Sequence, residues 1–164
     1  RRLDGEAEGR PMSATNSEAP PPAPPAGLRV LSVLLGIFMF AMGWSKTAWL
    51  ASSAPLTDEL WGWHEYAPAV SQWYLETIAI PGAPLFARLV LLGELACGTA
   101  LMLGLRVRLA ALVSLLMVLN FHFAMGVLFQ AAYLTNGYGL PVVAGLTALA
   151  WSGGRLPYSL NRRG

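Results

Sequence analysis

Glu94 is the residue most out of keeping with its surroundings. It stands about midway along an apolar run from Pro84 to Gly104, where a lone ionised carboxylate is costly and must be paired, protonated or beside water. An acid in that position is either a proton-handling group or a structural hydrogen-bonding post, and both readings stay open. A second apolar run holds Asn120 and His122 near mid-depth. Two residues apart on a helix, they point roughly 200° away from each other, so one face cannot offer both to one site. Glu94 and His122 are the candidate catalytic residues, as proton carriers. The alternative for each is a helix–helix hydrogen bond, worth on average under about 1 kcal/mol. Lys46 falls on a stripe with Gly36, Met39 and Gly43. It either faces a neighbouring helix or snorkels to the headgroups.

These residues sit on four apolar stretches, Leu28–Ala51, Pro84–Gly104, Leu109–Gln130 and Tyr138–Ser152. A helix crossing a bilayer needs roughly 20 apolar residues, which the first three supply. The fourth is short and spans only by borrowing flanking residues. Arg10 precedes the first stretch and Arg29 stands at its start, Arg106 and Arg108 fill the link between the second and third, and Arg155, Arg162 and Arg163 follow the fourth. The link Ala131–Gly137 has no Lys or Arg, and the long link after the first stretch carries Asp58, Glu59, Glu65 and Glu76. The positive-inside rule then puts both termini in the cytoplasm and requires an even number of spans, hence four. The fold expected is an all-α integral membrane protein, a four-helix transmembrane bundle spanning residues 28–153 with a basic cytoplasmic tail over 154–164.

Composition agrees. Hydrophobic residues make up 55% and charged residues 12% of the chain, about half the charge of an ordinary soluble domain. The pI near 9.0 does not point to nucleic acid, because the arginines sit beside spans, where orientation accounts for them. Cys97 is the single cysteine, which excludes an internal disulfide, a CxxC pair and a cysteine-built zinc site; no metal site is expected. Small residues recur at helical spacing at Gly93, Cys97, Ala100 and Gly104, a packing face that suits a partner helix, a second copy or a protein partner. Residues 1–27 are polar and then nearly all proline and alanine, a composition that stays disordered. Met12, followed by Ser-Ala-Thr-Asn, reads as the start of the protein and residues 1–11 as upstream read-through or a fragment edge.

The link Ser52–Gly82 is too long for a hairpin. Leu60, Trp63, Ala67, Val70 and Tyr74 recur at spacings of three and four, Pro68 splits the segment, and Pro81 and Gly82 end it. Two short amphipathic helices on the outer leaflet are expected. Trp61, Trp63, Tyr66, Trp73 and Tyr74 either form an interfacial aromatic belt or roof a pocket for a flat lipophilic ligand, with Lys46, His64, Arg88 and Glu94 beneath them.

The chain has no GxGxxG, P-loop, HExxH or GxSxG and no histidine pair at i, i+4, so nothing makes it a stand-alone enzyme. Three segments do fit a known pattern: G-I-F-M-F-A-M-G-W-S-K over Gly36–Lys46, G-E-L-A-C-G-T-A-L-M-L-G-L-R-V-R over Gly93–Arg108, and G-G-R-L-P-Y-S-L-N near the end. The chain resembles the DoxX family of small four-span bacterial membrane proteins over about Leu28–Asn161. In that family the first span typically ends G-x-x-K, the second carries E-x-x-x-G followed by L-x-x-G-L-x-x-R, and the tail often reads G-x-G-x-x-S-L-D. Asn161 departs from the usual Asp and the glycine spacing of the tail is changed, so no role is carried onto it. The aromatic link and the A-W-L after Lys46 are similar to the DoxD-like branch, which includes the membrane subunit of thiosulfate:quinone oxidoreductase.

The resemblance implies a bacterial cytoplasmic (inner) membrane protein with Lys46, Glu94 and Arg108 as its family-type polar residues and, in some members, redox work at the quinone pool with a partner subunit. Three readings compete. The first is the membrane subunit of a respiratory or sulfur-linked redox complex, with quinone held by Lys46, Trp63, His64, Trp73 and Arg88, and protons carried by Glu94 or His122. The second is a non-catalytic scaffold for a partner enzyme. The third, a small-solute permease, is weakest, because four short spans show no broken inverted repeats.

Overall fold

The computed structural model describes residues 26–152 and 156–160. The expected disordered segment and read-through, 1–25, lie outside the described residues, as do 153–155 and 161–164 of the tail. Every regular element among the described residues is helical. α1 runs Ala26–Ser45, so Ala26 and Gly27 open a helix instead of ending a tail. α2 is Ala54–His64, α3 is Ala69–Tyr74, α4 is Ala83–Leu103, α5 is Val107–Ala124 and α6 is Leu140–Ser152. α1, α4 and α5 are each long and apolar enough to cross a membrane, and α6 is a shorter apolar helix.

Helix ends follow local chemistry. α1 stops at Ser45, and the apolar Thr47–Leu50 that hydropathy assigns to the span turns away as a 3-10 segment, burying Trp49. Pro84 sits in the first turn of α4, where a missing N–H costs nothing. Gly104 closes α4 with φ +73°, a left-handed cap that favours glycine. α5 ends at Ala124 rather than continuing to Gln130, because Gly126 turns at φ +71° directly against Pro68. Two helices, α2 and α3, occupy the link, and a π-helical turn, Leu75–Ala79, joins α3 to the approach of α4.

α1 and α4 form the most extensive helix pair, and α5 packs on α4 and α6. Gly36, Met39 and Gly43 are buried on α1, and Gly36 and Gly43 face α4. Gly93 meets Met117 of α5, so the second small-residue stripe turns to α5, and Cys97 is buried. The glycine of α4 that meets α1 is Gly98, which lies off that stripe. One apolar cluster joins Leu35, Leu101, Ala111, Leu146 and Leu149 at one end of the bundle. A second joins Trp49, Leu56, Leu60, Ala67 and Leu75 to Ala83 and Ala87 of α4, so α2 and α3 are packed onto the bundle.

Two arginines, Arg29 and Arg108, meet helix termini at the first of these ends. Arg29 donates to the carbonyls of Leu101 (3.0 Å) and Met102 (2.6 Å) at the close of α4. Arg108 donates to the Trp151 carbonyl at the close of α6, 2.7 Å away. Both cations meet the negative ends of helices, where they are favourable. Part of the tail packs at this end too: Leu156 is buried and the Leu160 N–H donates to the Leu103 carbonyl.

Candidate functional site

Lys46 leaves the end of α1 and folds back along α4, where its ammonium donates to both oxygens of Glu94, at 2.9 and 2.7 Å. A third hydrogen bond, 3.2 Å, goes to the Met42 carbonyl. The ammonium also lies 5.6 Å from the Trp49 ring centre and 5.8 Å from that of Phe121, within cation–π range. The side chains of Lys46 and Glu94 are 12% and 5% exposed. The pair depends on how α1 meets α4: with glycine at 43, nothing but hydrogen separates that turn from Glu94 Cβ and Leu95.

The pair opens onto a cavity of about 300 Å³, the size of a small ligand site. α1 lines it with Phe38, Met39 and Met42, α5 with Val118, Phe121 and His122, and α2 reaches over it with Glu59 and Trp63. The remaining lining comes from Met125, Val127, Asn136 and Tyr138. The cavity exists because α6 is short. At 13 residues it rises only about 20 Å, and the chain from Val127 to Thr135 is spent on two 3-10 turns. The half of the α1–α5 groove nearer Lys46 is therefore covered by α2 and these turns and not by α6.

Of the residues singled out from the sequence, Lys46, Glu94, Trp63 and His122 meet at this cavity. His122 Nδ1 also lies 3.0 Å from the Tyr133 hydroxyl. Asn120 points elsewhere and accepts a 2.7 Å hydrogen bond from Tyr74, as their angular separation requires. Three of the expected pocket residues are not in the lining. His64 donates from Nε2 to Glu76 Oε1 at 2.6 Å, at the end of α2. Arg88 is exposed on α4 and turns back to the Pro84 carbonyl of its own helix. Trp73 is 59% exposed. The aromatic residues of the link therefore divide: Trp61, Tyr66 and Trp73 are exposed, Tyr74 is tied to Asn120, and Trp63 alone of the five reaches the cavity, edge-on to Phe121.

Glu59 and Tyr133 were not anticipated. Glu59 stands at the exposed rim, where partial burial raises its carboxyl above the ordinary range and Lys46 opposes the shift. Among the described residues no group of three or more His, Cys, Asp or Glu is placed to hold a metal ion.

The arrangement is a buried ammonium–carboxylate pair and an imidazole on the wall of an apolar, aromatic cavity. It can bind a flat uncharged ring, set positive charge near a carbonyl oxygen, and hold protons beside it. No curated protein and no solved structure matches the chain. The DoxX family model matches residues 27–127, which takes in α1 to α5 and stops before α6. That match covers more than half of the chain, and with three apolar helices of membrane-crossing length it makes this a multi-pass membrane protein that belongs to the DoxX family.

Proposed function

We propose that this chain is the membrane subunit of a respiratory or sulfur-linked redox complex, and that quinone binds in the cavity beside Lys46 and Glu94. One observation carries the reading: the ion pair is buried, and it faces an apolar cavity walled by rings. Taking two charges out of water is costly, and polar groups inside membrane helices mark functional paths. Quinone reduction takes up two electrons and two protons. The Lys46 ammonium, its donors held by Glu94 and the Met42 carbonyl, sets positive charge beside a carbonyl oxygen, and Glu94 and His122 supply proton sites on the cavity wall. Electrons pass to or from a partner subunit.

In this reading α6, with the turns before it, makes a fourth crossing. Arg29, Arg106 and Arg108 face the cytoplasm of a bacterial inner membrane with both termini, and α2 and α3 lie outside. The gathering of Arg29 and Arg108 on helix ends at one side supports that orientation.

Purification in mild detergent, with mass spectrometry of what accompanies the chain, tests the proposal. Copurifying quinone that is lost in the Lys46→Met variant is expected. A protein partner that copurifies equally with wild type and Lys46→Met, with quinone absent from both, would instead leave a scaffold.

A further inference from the structure

The cavity lining includes two unlike sets of exposed side chains. One is Glu59, an acid of α2. The other is Met42 of α1 with Asn136 and Tyr138 from the turn before α6, beside the half-buried Phe38. Tyr138 is 68% exposed and Met42 38%, so side chains that line the cavity also form the protein surface. The Phe38 and Tyr138 rings stack at 6.0 Å and 26°. Leu34 and Ile37 of α1 and Leu134 and Leu140 of the chain leading into α6 are exposed too. Because α6 begins only at Leu140, the segment that meets Phe38 here is a turn and not a helix.

We infer that the Phe38–Tyr138 stack is a lateral portal through which a neutral, lipid-dissolved aromatic ligand enters the cavity from the bilayer. The inference rests on the quinone reading above and adds a route and a restriction on ligand class. An aqueous route would present charged and polar side chains at the mouth, whereas this side presents leucine, isoleucine and aromatic rings with a single amide, Asn136, a largely apolar surface that belongs against lipid. Two stacked rings held by one turn and one helix can part without unfolding either element, as gating segments do. The lining also selects against anions. Its single Lys or Arg is Lys46, whose ammonium is already taken by Glu94, and Glu59 adds a second acid. A sulfur oxyanion entering here would meet no spare lysine or arginine, so any such compound is handled by the partner and not in this cavity.

The test uses the full chain in lipid vesicles and two probes. Menadione has no tail and reaches the protein from water. A naphthoquinone carrying a decyl tail resides in the bilayer. Saturable quenching of tryptophan fluorescence, followed by stopped flow, gives the rates for each. Tyr138→Ala should speed both entry and exit of the tailed probe at least about fivefold, Tyr138→Phe should leave them unchanged, and Met42→Trp should slow them by a similar factor, while menadione changes less than about twofold throughout. If the tailed probe and menadione respond alike, or neither responds, the portal is wrong although the cavity reading stands. If neither probe binds wild type saturably, the cavity reading and the portal fall together.

Discussion

Gly36 and Gly98 lie face to face where α1 crosses α4. A Cβ built on Gly98 would come within 2.5 Å of the Phe40 nitrogen, and one on Gly36 within 2.7 Å of the Met102 nitrogen. Both obstacles are backbone, which cannot rotate aside. This approach brings Gly43 onto Glu94 and so lets Lys46 reach its partner.

Alanine at either position should therefore destabilise the bundle. Gly→Ala within a helix gains up to about 1 kcal/mol in propensity, whereas overpacking a close contact costs about 1–3 kcal/mol, so the clash wins. Gly62→Ala, with nothing within 4 Å of the new methyl, is the control. Thermal unfolding in detergent should show Gly98→Ala melting below wild type and Gly62→Ala at or above it.

The ion pair predicts a non-additive double mutant. Removing one partner of a buried pair costs about 3–5 kcal/mol, and replacing both by apolar groups costs much less. Lys46→Met should thus be less stable than Lys46→Met with Glu94→Leu, measured in the same detergent. Glu94→Gln, which keeps shape and hydrogen bonding, should still accumulate in the membrane, and Glu94→Lys, which sets two ammoniums together, should not.

Glu59 predicts a pH dependence. Its carboxyl is raised above the ordinary 4.5, so the folded chain holds this proton more tightly than the unfolded chain. The group then favours folding at low pH and penalises it as pH climbs from 4.5 through the raised value. The gain in melting temperature of Glu59→Gln over wild type should be larger at pH 7 than at pH 4. An equal gain at both would mean that the carboxyl is not raised.

Topology has its own check. Single cysteines at 58 and 107 on a Cys97→Ser background should separate in intact cells, with a membrane-impermeant reagent labelling 58 and sparing 107. The reverse pattern would invert the proposed orientation.

Much of the fold was legible in the sequence, because length and hydropathy are properties of contiguous residues. The second run, Pro84–Gly104, differs from α4 by one residue at each end. The first and third runs overshoot their helices, at Lys46–Ala51 and Met125–Gln130, where apolar residues continue but the chain turns to bury Trp49 or to meet Pro68. Hydropathy does not distinguish lipid from protein as the apolar surroundings. Within the site, the isolation of Glu94 required a partner, yet nothing across a sequence separation of 48 says that it is Lys46; the antiparallel register of α1 and α4 decides that. Trp63 and Trp73 look alike in the sequence and separate only because α2 packs over the cavity while the Trp73 ring of α3 faces outward. Glu59 carries no periodic signal, since its place follows from how α2 packs against α4 and the turns Thr47–Leu50 and Leu75–Ala79.

The difference between those two tryptophans gives the most direct test of the central claim, that the cavity beside Lys46 and Glu94 is a quinone site. Equilibrium binding of a quinone analogue to purified wild type, Trp63→Ala and Trp73→Ala should show Trp63→Ala weakened at least about tenfold, or roughly 1.4 kcal/mol, with Trp73→Ala within about twofold of wild type. Equal losses at the two rings, or no saturable binding to wild type with or without its partner, would contradict the account.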